Sequence, residues 1–188
     1  MRRGTLAIID MQQVFGASDS PWASPRFDEI VPAIKRLIAA FGDNVVFTQW
    51  ISPARPEGAW VGYFKDWPFA LQPPDAPLWK ITPALADAAD AAAESGHGPI
   101  VASTFSKWGP QMAGIATDRL VLTGVSTECC IVATALAAAD AGVEVVVVSD
   151  ATSGPDDATQ RSTLDLMATW SPLIRIATTD EVLGVAQG

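Results

Sequence analysis

Six short apolar runs punctuate the chain: Thr5–Asp10, Val45–Thr48, Pro99–Ser103, Arg119–Gly124, Val143–Ser149 and Leu173–Ala177. They are rich in Val, Ile and Leu and lack strict apolar–polar alternation, the pattern of strands covered on both faces. Segments with helical spacing lie between most of them. Phe27–Phe41 sets Ile30, Ile34, Leu37, Ile38 and Phe41 on one face and stops at Gly42. Pro83–Ser95 has Thr82 as its candidate N-cap, Pro83 at the first helical position and Gly96 behind it. Glu128–Ala141 ends at Gly142, and Asp156–Thr169 starts after Gly154 and Pro155. This alternation predicts an α/β fold: a three-layer α/β/α domain over residues 1–188 with a mainly parallel, Rossmann-like six-stranded sheet. Ligands in such sheets bind beyond the carboxyl ends of the strands, where the strand order reverses.

One stretch breaks the pattern. Between Gln49 and Trp79 there is no periodicity, but Trp50, Trp60, Tyr63, Phe64, Trp67, Phe69 and Trp79 are interleaved with prolines. Such a segment reads either as a lid or pocket wall or as a satellite hydrophobic cluster capping the sheet.

Composition narrows the function classes. Of 188 residues 49% are hydrophobic and 18% charged, as in a folded globule. The formal net charge of −9 opposes nucleic acid and anionic lipid as partners. No apolar run is long enough to cross a bilayer. The start MRRGTLAIID is basic, but its apolar stretch meets Asp10 too early for a signal peptide. It is read as the first strand of a cytoplasmic protein with reduced thiols. Cys129 and Cys130 are adjacent, which offers neither a disulfide framework nor CxxC metal spacing. The single histidine, His97, stands alone in a glycine-rich turn, so no metal and no cofactor are expected.

The candidate chemistry lies in RLVLTGVSTECCIVATALAAADA, residues 119–141. A buried strand ends at Gly124, Val125 and Ser126 form a turn, and Thr127 is placed to cap the helix that follows. Cys130 then falls in the first helical turn, where unpaired N–H groups and the helix dipole favour a thiolate. The same N–H groups suit an oxyanion. Asp10 closes the first strand; a carboxylate within reach of the thiol can act as its base.

LAIIDMQQVF near the start, TFSKWGP after the third strand, and LTGVSTECCIVATALAAADAG followed by VVVVSDATSG resemble the isochorismatase-like cysteine hydrolases, in order and over most of the chain. The resemblance implies Cys130, not Cys129, as nucleophile and Asp10 as base. It further implies a cis peptide at Val125–Ser126 that aims an N–H at the substrate oxygen. Gln12 and Phe15 would line the pocket; Trp50, Trp60 and Trp108 are candidate walls for a flat substrate. The resemblance implies a lysine at the end of the third strand too, and there the matching position is Ala102. Three readings of this departure follow: a one-off replacement, a substitute cation from Lys107 or Lys80, or a diverged protein. Nicotinamidases of the superfamily carry Asp-x-His after the second strand, where this chain has Thr48-Gln49-Trp50.

The function so implied is a cysteine-dependent, metal-independent hydrolase of a small amide, working through a thioester. Its partner would be a small-molecule substrate and its assembly a homo-oligomer. The alternative is an inactive family member that binds a small molecule, for which Ala102 is the supporting feature. Asp150, at the end of the fifth strand, is read as a structural anchor for Thr152 and Ser153.

Overall fold

The computed structural model describes residues 4–185. The basic start at residues 1–3 and residues 186–188, both within the predicted domain, lie outside the described residues. Six strands form one sheet: β1 Thr5–Ile9, β2 Val45–Trp50, β3 Ile100–Ala102, β4 Arg119–Val125, β5 Glu144–Ser153 and β6 Ile174–Ala177. Their order is β3-β2-β1-β4-β5-β6, and every pairing is parallel. The helices are α1 Gln13–Gly16, α2 Phe27–Phe41, α3 Trp60–Asp66, α4 Ala86–Glu94, α5 Pro110–Ile115, α6 Val132–Asp140, α7 Asp157–Ala168 and α8 Thr179–Leu183. Among the described residues, no helix is long and apolar enough to cross a membrane.

The missing alternation has a direct cause. Leu6 and Ile8 of β1 pack on one side of the sheet with α2 and α4, while Ala7 and Ile9 pack on the other with α5, α6 and α7. Val146 and Val148 of β5 divide from Val145 and Val147 in the same way. Both faces exclude water, so both sets must be apolar. Helix α2 has the predicted bounds and buries Phe27, Ile30, Ile34, Leu37 and Phe41.

Local chemistry shifts several predicted boundaries. Pro83–Ser95 divides into a 3₁₀ turn, Pro83–Leu85, and α4; Thr82 makes no side-chain cap bond. Glu128–Ala141 divides into a π-turn, Thr127–Ile131, and α6, and no side chain caps the π-turn, so Thr127 is not the predicted cap. Asp156 is the N-cap of α7, its Oδ1 accepting from the N–H groups of Ala158 (2.9 Å) and Thr159 (2.8 Å). Asp150 is structural, but its partner is α8: Oδ1 accepts from the N–H (2.7 Å) and hydroxyl (2.9 Å) of Thr179.

The strand order reverses between β1 and β4. There Ile9 pairs with Gly124, whose φ is +101°. A Cβ on Gly124 would collide with the Ile9 carbonyl. Only glycine meets both conditions, a left-handed backbone and a close approach of two chains. Gly124→Ala is therefore expected to cost about 3 kcal/mol, from strain plus overpacking. Denaturant unfolding measures this; a wild-type midpoint would mean that the two strand ends separate freely.

Candidate active site

Asp10 and Cys130 follow the carboxyl ends of the two strands that flank the reversal. Asp10 is fully buried and its φ is +47°, a left-handed conformation that Asp and Asn tolerate better than most residues. Thr48 of β2 holds it there twice. The Thr48 hydroxyl donates to Asp10 Oδ1 (2.6 Å) and accepts from the Asp10 N–H (3.1 Å). The other carboxylate oxygen forms an ion pair with Lys107 Nζ at 2.9 Å, with both side chains fully buried.

Of the three readings open at Ala102, this geometry matches the substitute cation. Ala102 pairs with Trp50 at the end of β3, and its carbonyl accepts from the Ile51 N–H. The cation comes instead from Lys107, five positions later, in the loop that leads into α5. That loop turns the ammonium inward by giving it the carbonyls of Thr104 (2.8 Å) and Phe105 (3.3 Å) as further acceptors. Lys80, the other candidate, is exposed. Thr134 ties the loop to the cysteine. Its hydroxyl accepts from the Lys107 N–H (2.9 Å) and donates to the Cys130 carbonyl (2.6 Å). The sequence reading missed Thr134, although a threonine four residues after the cysteine in a helix is the spacing for such a bond.

Cys130 lies in the π-turn, not in an ordinary first helical turn. The N–H groups of Cys129 and Ile131, on either side of it, both donate to the Ser126 carbonyl at 3.1 Å. Such widened turns recur at functional sites because they displace one residue from the helical ladder. The Val125–Ser126 peptide is cis. Burial pushes the Cys130 thiol well above the ordinary range; the Asp10 charge and a hydrogen bond to Asp10 add to this, and Lys107 opposes it. Desolvation thus works against the dipole argument for a resting thiolate. Iodoacetamide is expected to label Cys130 in Cys129→Ala protein more slowly than an ordinary thiol at neutral pH. The rate should keep rising past the usual thiol pKa of about 8.5. A plateau below that pH would show a resting thiolate.

The thiol opens onto a cavity of about 310 Å³. Phe15, Trp22, Trp50, Tyr63, Trp67 and Phe105 supply its aromatic walls, and Ser126, Glu128 and Cys129 join Cys130 in lining it. Phe15 and Trp50 stand where the sequence predicted them. Gln12 does not line it: the fully buried amide donates to the carbonyls of Trp50 (2.9 Å) and Trp79 (2.6 Å) and accepts from the Trp50 N–H (2.8 Å). Trp60 packs behind the wall on Phe105, with centroids 5.2 Å apart, and Trp108 packs on the core under α5 and α6. The aromatic segment thus takes both predicted roles. Tyr63 and Trp67 are pocket wall, while Phe64 and Trp79 are buried core. Trp22, Phe105 and Glu128 went unnoticed as lining, because no spacing rule links residues from separate loops. Among the described residues no cluster of His, Cys, Asp and Glu is suited to a metal ion.

The chain matches the isochorismatase domain family over residues 5–181. It belongs to the isochorismatase family. The solved structures it resembles share its fold. A cysteine hydrolase from Pseudomonas syringae pv. phaseolicola 1448A superposes with a TM-score of 0.79 at 20% identity, covering 97% of this chain and 91% of that one. An isochorismatase family protein from Desulfovibrio vulgaris subsp. vulgaris str. Hildenborough gives 0.77 at 26% identity, with 96% and 97% covered. A nicotinamidase from Bacillus subtilis gives 0.73 at 15% identity, with 92% and 98% covered. No curated protein matches the chain. The family is one of hydrolases, and the sheet of this isochorismatase-family member has the fold that the sequence resemblance implies.

Proposed function

We propose that this isochorismatase-family protein is a metal-independent cysteine hydrolase that cleaves the C–N bond of a small amide. The observation that carries the reading is the Asp10–Lys107 ion pair, buried beside Cys130 at the foot of the aromatic cavity. Asp10 takes the Sγ proton as the sulfur attacks the amide carbonyl. Lys107 keeps Asp10 oriented and offsets the negative charge passed between the two. The backbone N–H groups of Ser126 and Cys130 receive the oxyanion. Collapse of the tetrahedral intermediate expels the amine, which Asp10 protonates, leaving a thioester. Asp10 then deprotonates a water that attacks the thioester, the acid departs, and Cys130 regains its proton. A reducing cytoplasm suits a nucleophile that must remain a free thiol.

The non-catalytic binding reading drew its support from a missing cation. Lys107 supplies that cation, and no other observation favours it. The test is a panel of small aromatic and aliphatic amides, read by amine release and by the mass of the peptide bearing Cys130. At least one amide is expected to turn over, with an acyl group on that peptide. No amine released and no acylation across the panel would overturn the proposal.

A further inference from the structure

Every ring that lines the cavity is a π-face without charge, and the rings meet at varied angles. Trp22 stacks on Phe15 (6.0 Å, 12°) and sets its edge against Trp50 (5.3 Å, 80°) and Trp67 (6.1 Å, 64°). Walls of this kind hold a cation through its attraction to the ring quadrupoles. Among the described residues, Glu128 is the one formally charged side chain in the lining, and neither lysine nor arginine joins it. Lys107 does not balance it, because Asp10 and two carbonyls occupy its ammonium beneath the thiol.

Glu128 also has an unmet acceptor. Its Oε2 is buried without a protein donor, and so is Gln160 Oε1. Both border Gly154: a Cβ there would stand 3.1 Å from the first oxygen and 3.3 Å from the second. Two buried acceptors at one spot, with no donor between them, are costly until an N–H arrives. Beyond Gly154 a second cavity opens, lined by Glu29, Asp156 and Asp157 against a single Arg26. The Arg26 guanidinium is already engaged by Glu29 (2.9 Å) and Asp157 (3.6 Å). This neighbouring cavity is acidic, as is the whole chain with its net charge of −9, and a surface of that sign attracts cations.

We propose that the cavity selects a small amide carrying a protonated amine, that Glu128 reads this charge, and that anionic amides are turned away. Burial raises the Glu128 carboxyl above its usual range, with the Asp156 charge adding to it; a bound cation would oppose both effects. The proposal rests on the hydrolase reading for its amide, but its test needs no turnover.

Binding is measured by tryptophan fluorescence on Cys130→Ala protein with three benzamides of similar size: 4-aminomethyl (cation), 4-hydroxymethyl (neutral) and 4-carboxy (anion). The cation is expected to bind at least about tenfold more tightly than the neutral compound, and the anion more weakly than either. Adding Glu128→Gln should remove about tenfold of the cation's affinity and leave the neutral compound within about twofold, which also reports an intact cavity. The proposal is overturned if the cation fails to bind, if the anion binds as tightly, or if the preference survives Glu128→Gln. Cation binding without turnover of any amide by the unsubstituted protein would defeat the hydrolase reading alone. Turnover with a preference for anions would defeat only the charge selection.

Discussion

Cys130→Ala is expected to remove amide hydrolysis, by on the order of 10⁶-fold, the size of effect seen when an enzyme loses its nucleophile. Cys129→Ala should retain most of the rate. The two thiols are neighbours in sequence but not in chemistry. Cys130 is 3% exposed and feels the charge of Asp10, whose carboxylate Lys107 holds in place. Cys129 is half-buried, beside Glu128, and burial and the Glu128 charge push its thiol up to about 12. It has neither a base paired with a cation nor a lysine to offset its charge. Steady-state rates of the two variants on any amide found to turn over decide the matter. An equal loss in both would sink the assignment of Cys130 as nucleophile.

Lys107→Met should damage both stability and rate. Methionine fills the space of the lysine stem but leaves Asp10 charged, buried and uncompensated. Breaking a buried ion pair in this way costs about 3–5 kcal/mol. Asp10→Asn in the same chain should restore much of the stability, since asparagine suits the left-handed backbone at φ +47° and can still accept from Thr48. It should not restore activity, because an amide cannot take the thiol proton. Denaturant midpoints for the two single variants and the double variant measure the coupling. If Lys107→Met unfolds like the unsubstituted protein and keeps its rate, the ion pair contributes to neither.

The strands and helix α2 were legible because their signals are local. A strand covered on both faces needs an unbroken apolar run, and α2 needs an apolar stripe at helical spacing, whatever surrounds them. The motifs likewise separated Cys130 from Cys129 and picked out Asp10. The boundaries that moved, at Thr82 and Thr127, are those where a cap depends on whether one hydroxyl reaches one N–H. Gln12 and Trp108 were misread for a different reason. Sequence position says that they lie near the site, not whether the side chain turns to the cavity or to the core.

The lysine marks the boundary most clearly. Matching the sequence position by position put an alanine where the cation belongs. In space, the loop after β3 folds Lys107 back, and an ammonium serves from any chain position that brings it within 2.9 Å of the carboxylate. The sequence by itself determined the six strands and the longer helices, which cysteine sits at the turn and that a carboxylate ends the first strand. Only the tertiary structure decided which lysine meets Asp10, which rings wall the cavity and that Glu128 is the charge among them. Apolar periodicity is a property of neighbouring residues, whereas an ion pair or a cavity wall is a distance between residues that only the closed fold makes short.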